Sequence, residues 1–382
     1  MPRTWPGRCG ADPVIFLFGT LRYEPLLKRV SGEELALTPA RLPGWRIAAV
    51  KGKAFPMLVP DADAMAEGFL IDPSDEARAR IHHYEDAFGY VPVSEAIATA
   101  DGEVQAELYR PKKAPGVRDG AWSLDVWTET NAERALIAAA EIMSYQGRFS
   151  GEALQFRFGQ IEARAQSRAR AEQMQRPKVG SDRTRDQVML HETRADHAGY
   201  FVTTTDRLSH PTFDGGMSEP LVREVFHGAD AAIVLPYDPV RDRVLLVDQF
   251  RMGPWARGAI YPWQLEPVAG RVDPGESPED CARREAEEEA GLKLRDLIQV
   301  GSGYPSPGCV SEYFYIYVGL CDLPDGTEGH YGVEDEAEDI RTHILDWAQA
   351  EDLLTRGEAD NVPLILALVW LSRERSRLRA LG

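Results

Sequence analysis

Glu285, Glu288 and Glu289 stand three and four residues apart in "RREAEEEAGL", so in a helix they share one face. Like charges at that spacing repel and weaken a helix. The flanks nonetheless mark a helix at both ends. Ser277 is a capping residue, Pro278 suits the first helical position, and Asp280 lies three residues after the cap. Gly291 supplies the left-handed residue that stops the helix. Ala282, Ala286 and Ala290 repeat every four residues and give a small apolar stripe for close packing. Converging carboxylates are ligands for a hard cation, and Mg²⁺ takes few protein ligands beside substrate phosphates. A cation would offset the repulsion. The bland reading, a solvated acidic face, fits most acidic runs in a chain with 61 Asp and Glu against 43 Lys and Arg. The marked loop, helix and stop set this run apart.

The full pattern is Gly270, five residues, Glu276, seven residues, Arg284-Glu285-Ala286, one residue, Glu288-Glu289, one residue, Gly291-Leu292. It resembles the Nudix hydrolase box at every fixed position, with Ala286 where a larger aliphatic is usual. The resemblance implies hydrolysis of a nucleoside diphosphate linked to another group. It makes Glu285 and Glu289 the principal metal ligands, with Glu288 assisting and the carbonyl of Ala269 a further ligand. Arg284 would hold the glutamates by ion pairing. The implied ion is Mg²⁺, with Mn²⁺ as the alternative.

Downstream, "GYPSPGCVSE" places Pro307 in a segment that resembles the SPG signature of the ADP-ribose pyrophosphatase branch. The likeness covers most of 187–382 and implies the products AMP and ribose 5-phosphate. It assigns substrate binding to Arg223, Glu224 and Arg251, adenine stacking to Phe201, and the terminal ribose to Glu312. In "GVEDEAEDI" it puts Glu336 at the catalytic-base position and Glu338 at a further metal position, and it implies a homodimer. Bland readings stand beside these. Pro-Ser-Pro-Gly turns tightly in any protein. Arg223 could pair with a surface carboxylate, Phe201 could be core, and Glu334, Glu336 and Glu338 could be an acidic surface loop. The competing functions are another nucleoside diphosphate compound as substrate, and an ADP-ribose sensor without turnover. The complete box speaks against the sensor, since sensors commonly lose a metal glutamate.

These residues need a scaffold. The 382 residues suffice for two domains, and 43% hydrophobic and 27% charged residues are globular values. No apolar run is long enough for a membrane span, and the apolar run near the start reads as a first strand. Cys9, Cys281, Cys309 and Cys321 have no paired spacing, which points away from disulfides or zinc and towards the cytoplasm. A net charge of −18 argues against a nucleic-acid backbone as partner. It leaves a metal-bridged nucleotide open.

Strand-like "AAIVLPYD" and "RVLLVDQFR" turn at Asp238-Pro239, "WQLEPVAG" leads into the acidic helix, and two helices close the chain. With the metal helix after a central strand, this fits the α/β/α sandwich implied for 186–382. In the first half, short strands surround a helix begun by Pro73 and Ser74. Thr130 and Glu133 form a capping-box pattern ahead of "RALIAAAEIMSY", and a second helix is expected over about 151–175. Residues 121–185 read as a helical extension and linker, with "RPKVGSDRTRD" as its polar end.

"FLFGTLR" is a strand running into a glycine turn, whose amides could form a nest for a carboxylate. It resembles the "YGTLR" motif of the γ-glutamylcyclotransferase-like (AIG2-like) fold, with Phe18 in place of the usual tyrosine. The resemblance implies a mixed β-barrel over 10–120, ligand binding at Gly19, Thr20 and Leu21, and Glu85 as general acid/base. The bland alternative is that Glu85 only caps a helix end. The chain is therefore expected to be an α+β and α/β two-domain protein. Bacterial fusions of these two modules carry a tellurite-resistance label, which is a phenotype and not a mechanism.

Overall fold

The structure is a computed structural model that describes residues 13–113, 117–175, 178–333 and 338–380. The chain divides into two compact units, one ending at Gln175 and the other beginning at position 176.

The first unit is built from β1 (Val14–Leu17), α1 (Glu24–Ser31), β2 (Thr38–Val50), β3 (Pro56–Ile71), α2 (Asp75–Asp86), β4 (Tyr90–Thr99), β5 (Gly102–Pro111), β6 (Val117–Ala121), α3 (Leu124–Ser144) and α4 (Gly151–Glu172). The strand order β3-β1-β5-β4-β2 returns to β3, because β2 pairs along β3 from Thr38↔Leu70 onward. Five strands thus close a barrel with no free edge, and β6 is added on β2. Period-two alternation fills the interior: Val14, Phe16 and Phe18 from one strand and its exit meet Leu42, Leu70, Ile97 and Leu108 from the others.

Ser74 caps α2 as its position suggested, accepting from the Ala77 amide. The capping box expected at Thr130 is not there. α3 starts about two turns earlier, capped by Ser123, whose hydroxyl accepts from Val126 N. Thr130 lies inside the helix and its hydroxyl donates to the Val126 carbonyl, the alternative that serine and threonine use in helix interiors. α3 and α4 belong to this first unit: Trp127 packs edge-on against Tyr23, and Phe158 against Phe88.

The second unit opens with a three-stranded sheet of β7 (Met189–Ala198), β8 (Val202–Ser209) and β9 (Leu221–His227). The larger sheet follows: β10 (Ala231–Asp238), β11 (Arg243–Phe250), then α5 (Met252–Arg257), β12 (Trp263–Glu266), β13 (Val268–Arg271), α6 (Pro278–Ala290), β14 (Asp296–Gly303), β15 (Phe314–Leu320), β16 (His330–Tyr331), β17 (Ile340–Asp346), α7 (Trp347–Thr355) and α8 (Val362–Arg379). Its order is β14-β15-β10-β11-β17-β16, with β12 paired to β11 and β13 to β10.

β10 is buried on both faces, so it reads as a continuous apolar run. Ile233, Leu235 and Tyr237 face α7 and α8, while Ala232 and Val234 face α6. The sandwich is therefore α/β/α, as the element order implied. Among the described residues no helix is long and apolar enough to cross a membrane. Cys281 and Cys321 are buried and free, and Cys309 is exposed and free.

Candidate active sites

In the second unit the site grows from α6. Ser277 Oγ accepts from Asp280 N at 3.0 Å, Pro278 occupies the first turn, and Gly291 ends the helix at φ 63°. Ala282, Ala286 and Ala290 are fully buried against β10 and β11, so the helix sits close to the sheet. That packing turns the carboxylates towards β13. Side-chain exposure is 12% for Glu285 and 38% for Glu288, and Glu289 as a residue is only 2% exposed. Glu285 and Glu289 are therefore the inner pair and Glu288 lies at the rim.

Arg284 holds the cluster. Its Nε donates to Glu276 Oε1 at 2.9 Å, and its Nη1 donates to Glu285 Oε1 at 2.6 Å and to Glu288 Oε2 at 2.8 Å. Nη2 reaches Glu276 Oε2 at 3.1 Å and the Arg271 carbonyl at 3.3 Å. The planar guanidinium spreads these bonds over three nitrogens, a spacing that a single ammonium nitrogen does not reproduce. Glu289 is held separately, accepting from the Ala269 amide at 3.1 Å.

Burial nevertheless dominates at the inner pair. It pushes Glu285 up to about 7 against the pull of Arg284, with Glu288 and Glu338 adding repulsion. It pushes Glu289 up to about 8 against the Ala269 amide, with Glu285 and Glu338 adding repulsion.

Among the described residues no three acidic, imidazole or thiol groups form a preformed cage. Two buried hard oxygen donors, raised by desolvation and mutual repulsion, still match an ion that completes its shell with substrate phosphate and water. The donor set fits a hard divalent cation in that sense.

The other expected residues fall into groups. Glu338 lies near enough to act on both inner glutamates, and its Oε2 accepts from Val333 N at 3.3 Å. Glu334 and Glu336 lie outside the described residues. Arg251 is drawn to the site. It acts on Glu289 and grips Glu266 Oε2 through Nε at 2.8 Å and Nη2 at 2.7 Å.

Phe201 stacks at a tilt on Phe226, with ring centroids 4.7 Å apart, and is 45% exposed. The loop that carries the exposed Pro307 is tied to the same strand: Phe226 N donates to the Cys309 carbonyl at 2.8 Å, and Ser311 N to the Phe226 carbonyl at 3.0 Å. Glu312 packs against Gly228, and burial raises its carboxyl, with Asp230 adding to it. Arg223 and Glu224 stand exposed on β9, and Arg223 donates to its neighbour's carbonyl at Val222. Among the described residues no hydrogen bond or ion pair joins either to Glu285 or Glu289.

Sequence reasoning missed Glu266. It is buried, pairs with Arg251, and accepts from Asn361 Nδ2 at 2.9 Å. Its signal was a lone charge in the apolar stretch just before Gly270.

The first unit has a cleft of its own, lined by Phe18, Gly19, Thr20, Leu21, Glu85 and Tyr109 among others. The turn after β1 is a short 3₁₀ segment, with Arg22 N donating to the Gly19 carbonyl at 3.1 Å. Glu85 comes from the last turn of α2 and lines the same cleft as the Gly19–Leu21 turn, far from it in sequence. Burial pushes the Glu85 carboxyl up to about 8, so it is largely protonated at neutral pH.

Comparison with known proteins agrees with both halves. Residues 227–368 match the NUDIX domain family, and residues 15–124 match the family described as "Gamma-glutamyl cyclotransferase, AIG2-like". The chain is 42% identical over 193 residues to an ADP-ribose pyrophosphatase of Escherichia coli (strain K12), covering 50% of this chain and 90% of that protein. An ADP-ribose pyrophosphatase of Haemophilus influenzae is 35% identical over 48% of this chain and 85% of its own length. A GDP-mannose pyrophosphatase of Yersinia enterocolitica is 35% identical over 41% of this chain and 81% of its own. With the box complete, its arginine engaged and nine-tenths of a relative's length covered at 42% identity, the chain belongs to the Nudix hydrolase family, with an AIG2-like γ-glutamyl cyclotransferase domain ahead of its Nudix domain.

Proposed function

We propose that the second unit hydrolyses the diphosphate of ADP-ribose, or a related ADP-sugar, to AMP and ribose 5-phosphate. The observation that carries this is the buried Glu285 and Glu289 pair, held beside β13 by Arg284 and the Ala269 amide. Two carboxylates so desolvated are costly unless a cation shares them. Glu285 and Glu289 would hold Mg²⁺, with the Ala269 carbonyl and Glu338 as further ligands. Such an ion, when bound, supplies charge neutralisation of the diphosphate and lowers the pKa of water.

The chain's own residues do the rest. Arg284 fixes the carboxylates so that the site need not reorganise during reaction. Arg251, braced by Glu266, presents positive charge beside Glu289 for the substrate. Phe201 and Phe226 offer an exposed ring face for adenine, Arg223 and Glu224 contact the substrate, and Pro307 and Glu312 shape the ribose end. Glu336 is the proton acceptor by its sequence position. A second copy of the chain is the partner we propose for this unit.

A panel of ADP-ribose, other ADP-sugars and GDP-mannose with Mg²⁺ tests the reading. AMP release from ADP-ribose ahead of the others supports it. Tight ADP-ribose binding without turnover would instead favour the sensor, against which the complete box speaks.

For the first unit we propose γ-glutamyl amine cyclisation, in which a substrate's α-amine attacks its own γ-carbonyl and a five-membered lactam and free amine result. Support comes from Glu85, neutral and facing a cleft that includes the Gly19–Leu21 turn.

A further inference from the structure

Glu85, protonated at the outset, is poised for one of the two proton transfers in that chemistry. A carboxyl that is protonated at neutral pH can give a proton to the leaving amine, but the attacking amine must also lose one. We propose that Tyr109, backed by His82 and Glu107, is the group of the first unit's cleft that accepts the proton of the attacking amine. This inference rests on the cyclotransferase reading of the cleft.

Tyr109 lines the cleft with Glu85, and its hydroxyl lies 3.0 Å from His82 Nδ1. The far nitrogen of that ring, Nε2, lies 3.4 Å from Glu107 Oε1, at ion-pair distance without a hydrogen bond. The other Glu107 oxygen faces Arg78 Nη1 at 3.7 Å, and Arg78 is anchored through Nη2 to the Pro13 carbonyl at 2.6 Å. The hydroxyl thus has an imidazole within hydrogen-bond reach, and a carboxylate stands close enough behind the ring to stabilise it when it takes a proton. His82 and Tyr109 rings also meet edge to face, 5.5 Å apart, which fixes the imidazole plane. His82 lies on α2 three residues before Glu85, so one helix places both groups. Its side chain is 36% exposed, which opens a path to solvent.

Burial, with the Glu85 and Glu107 charges, holds the Tyr109 phenol well above its ordinary range, so by itself it keeps its proton. A relay through it avoids a free phenolate: Tyr109 accepts a proton as it passes its own to His82.

The protons balance. The α-amine, in its free-base form, attacks the γ-carbonyl carbon and a C–N bond forms. Its nitrogen loses one proton to the Tyr109 oxygen, and the Tyr109 proton moves to His82 Nδ1. The bond to the leaving nitrogen breaks as that nitrogen takes the Glu85 proton. His82 then returns its proton to water, and Glu85 takes one from water. No oxidant or further reactant is needed.

The test uses the full chain with ¹⁵N-histidine, and a γ-glutamyl alkylamine as substrate with the lactam read by mass. His82 should show a bare Nδ1 and a protonated Nε2, and Tyr109→Phe should shift the Nδ1 signal. Tyr109→Phe and His82→Gln should each lower kcat about a hundredfold, the scale of a lost general base, with KM little changed. An active wild-type chain whose two variants keep kcat, or a His82 with its proton on Nδ1, overturns the relay. A wild-type chain that makes no lactam from any γ-glutamyl amine overturns the cyclotransferase reading and the relay with it.

Discussion

A Cβ on Gly270 would stand 1.8 Å from Glu285 Oε1. Gly270 is therefore glycine because a carboxylate occupies the space where its side chain would be, and not because of its backbone angles. The Gly-to-Glu spacing of the box is in this sense a packing rule between β13 and α6. Gly270→Ala should leave the sheet paired but displace Glu285 from Arg284. We expect turnover to fall by about 10–100-fold, the range for disturbing the support of a metal ligand. Steady-state rates beside a thermal melt check this, and unimpaired turnover in the Gly270→Ala variant would refute it.

Arg284 touches Glu276, Glu285 and Glu288 through its guanidinium nitrogens. Arg284→Lys keeps the charge and loses the fork, so it should behave closer to Arg284→Gln than to wild type. Both should need more Mg²⁺ for half-maximal rate. A lysine variant with the wild-type Mg²⁺ curve would show that charge alone suffices.

Much of this was legible in the sequence, and the reasons are local. The caps of α6 lie within a turn of the residues they satisfy, so Ser277, Pro278 and Gly291 could be read directly. The alternation of β10 between two helical layers follows from its unbroken apolar run. Thr130 misled because its pattern allows a cap or an interior bond, and only the earlier cap at Ser123 decides between them. Glu266 and Asn361 meet across 95 residues, and Tyr109 and His82 across 27. No periodicity announces such pairs. They follow from barrel closure and from the docking of α8.

Glu85 makes the first unit sensitive to pH. Its folded pKa is about 8 and its ordinary value is 4.5, so in that window the folded state holds a proton that the unfolded state has lost. Stability should therefore fall as pH rises from 4.5 to 8 and level off beyond. Glu85→Gln removes the effect. The melting temperature of the variant minus that of wild type should be near zero in acid and should climb through neutrality. A difference that stays flat with pH would contradict the raised carboxyl.

The acidic segment after Gly332 separates three roles. Glu336→Gln should lower kcat about a hundredfold or more, as for a lost general base, with Mg²⁺ dependence unchanged. Glu338→Gln, next to both inner glutamates, should weaken Mg²⁺ dependence instead, and Glu334→Gln should do little. Rates across Mg²⁺ concentration tell these apart. Loss of rate at Glu334 with none at Glu336 would shift the base to the neighbouring acid.

On the proposed function, the buried Glu285 and Glu289 pair holds the ion that makes diphosphate hydrolysis possible. The most direct measurement is AMP release from ADP-ribose by the full chain, titrated with Mg²⁺, for wild type, Glu285→Gln and Glu289→Gln. Each amide removes a charge while keeping the shape, and relieves repulsion in a buried site, so the variants should fold at least as stably as wild type. We predict Mg²⁺-dependent turnover in wild type and near-complete loss in both variants at every Mg²⁺ concentration. Turnover close to wild type in either variant at saturating Mg²⁺ would contradict the account.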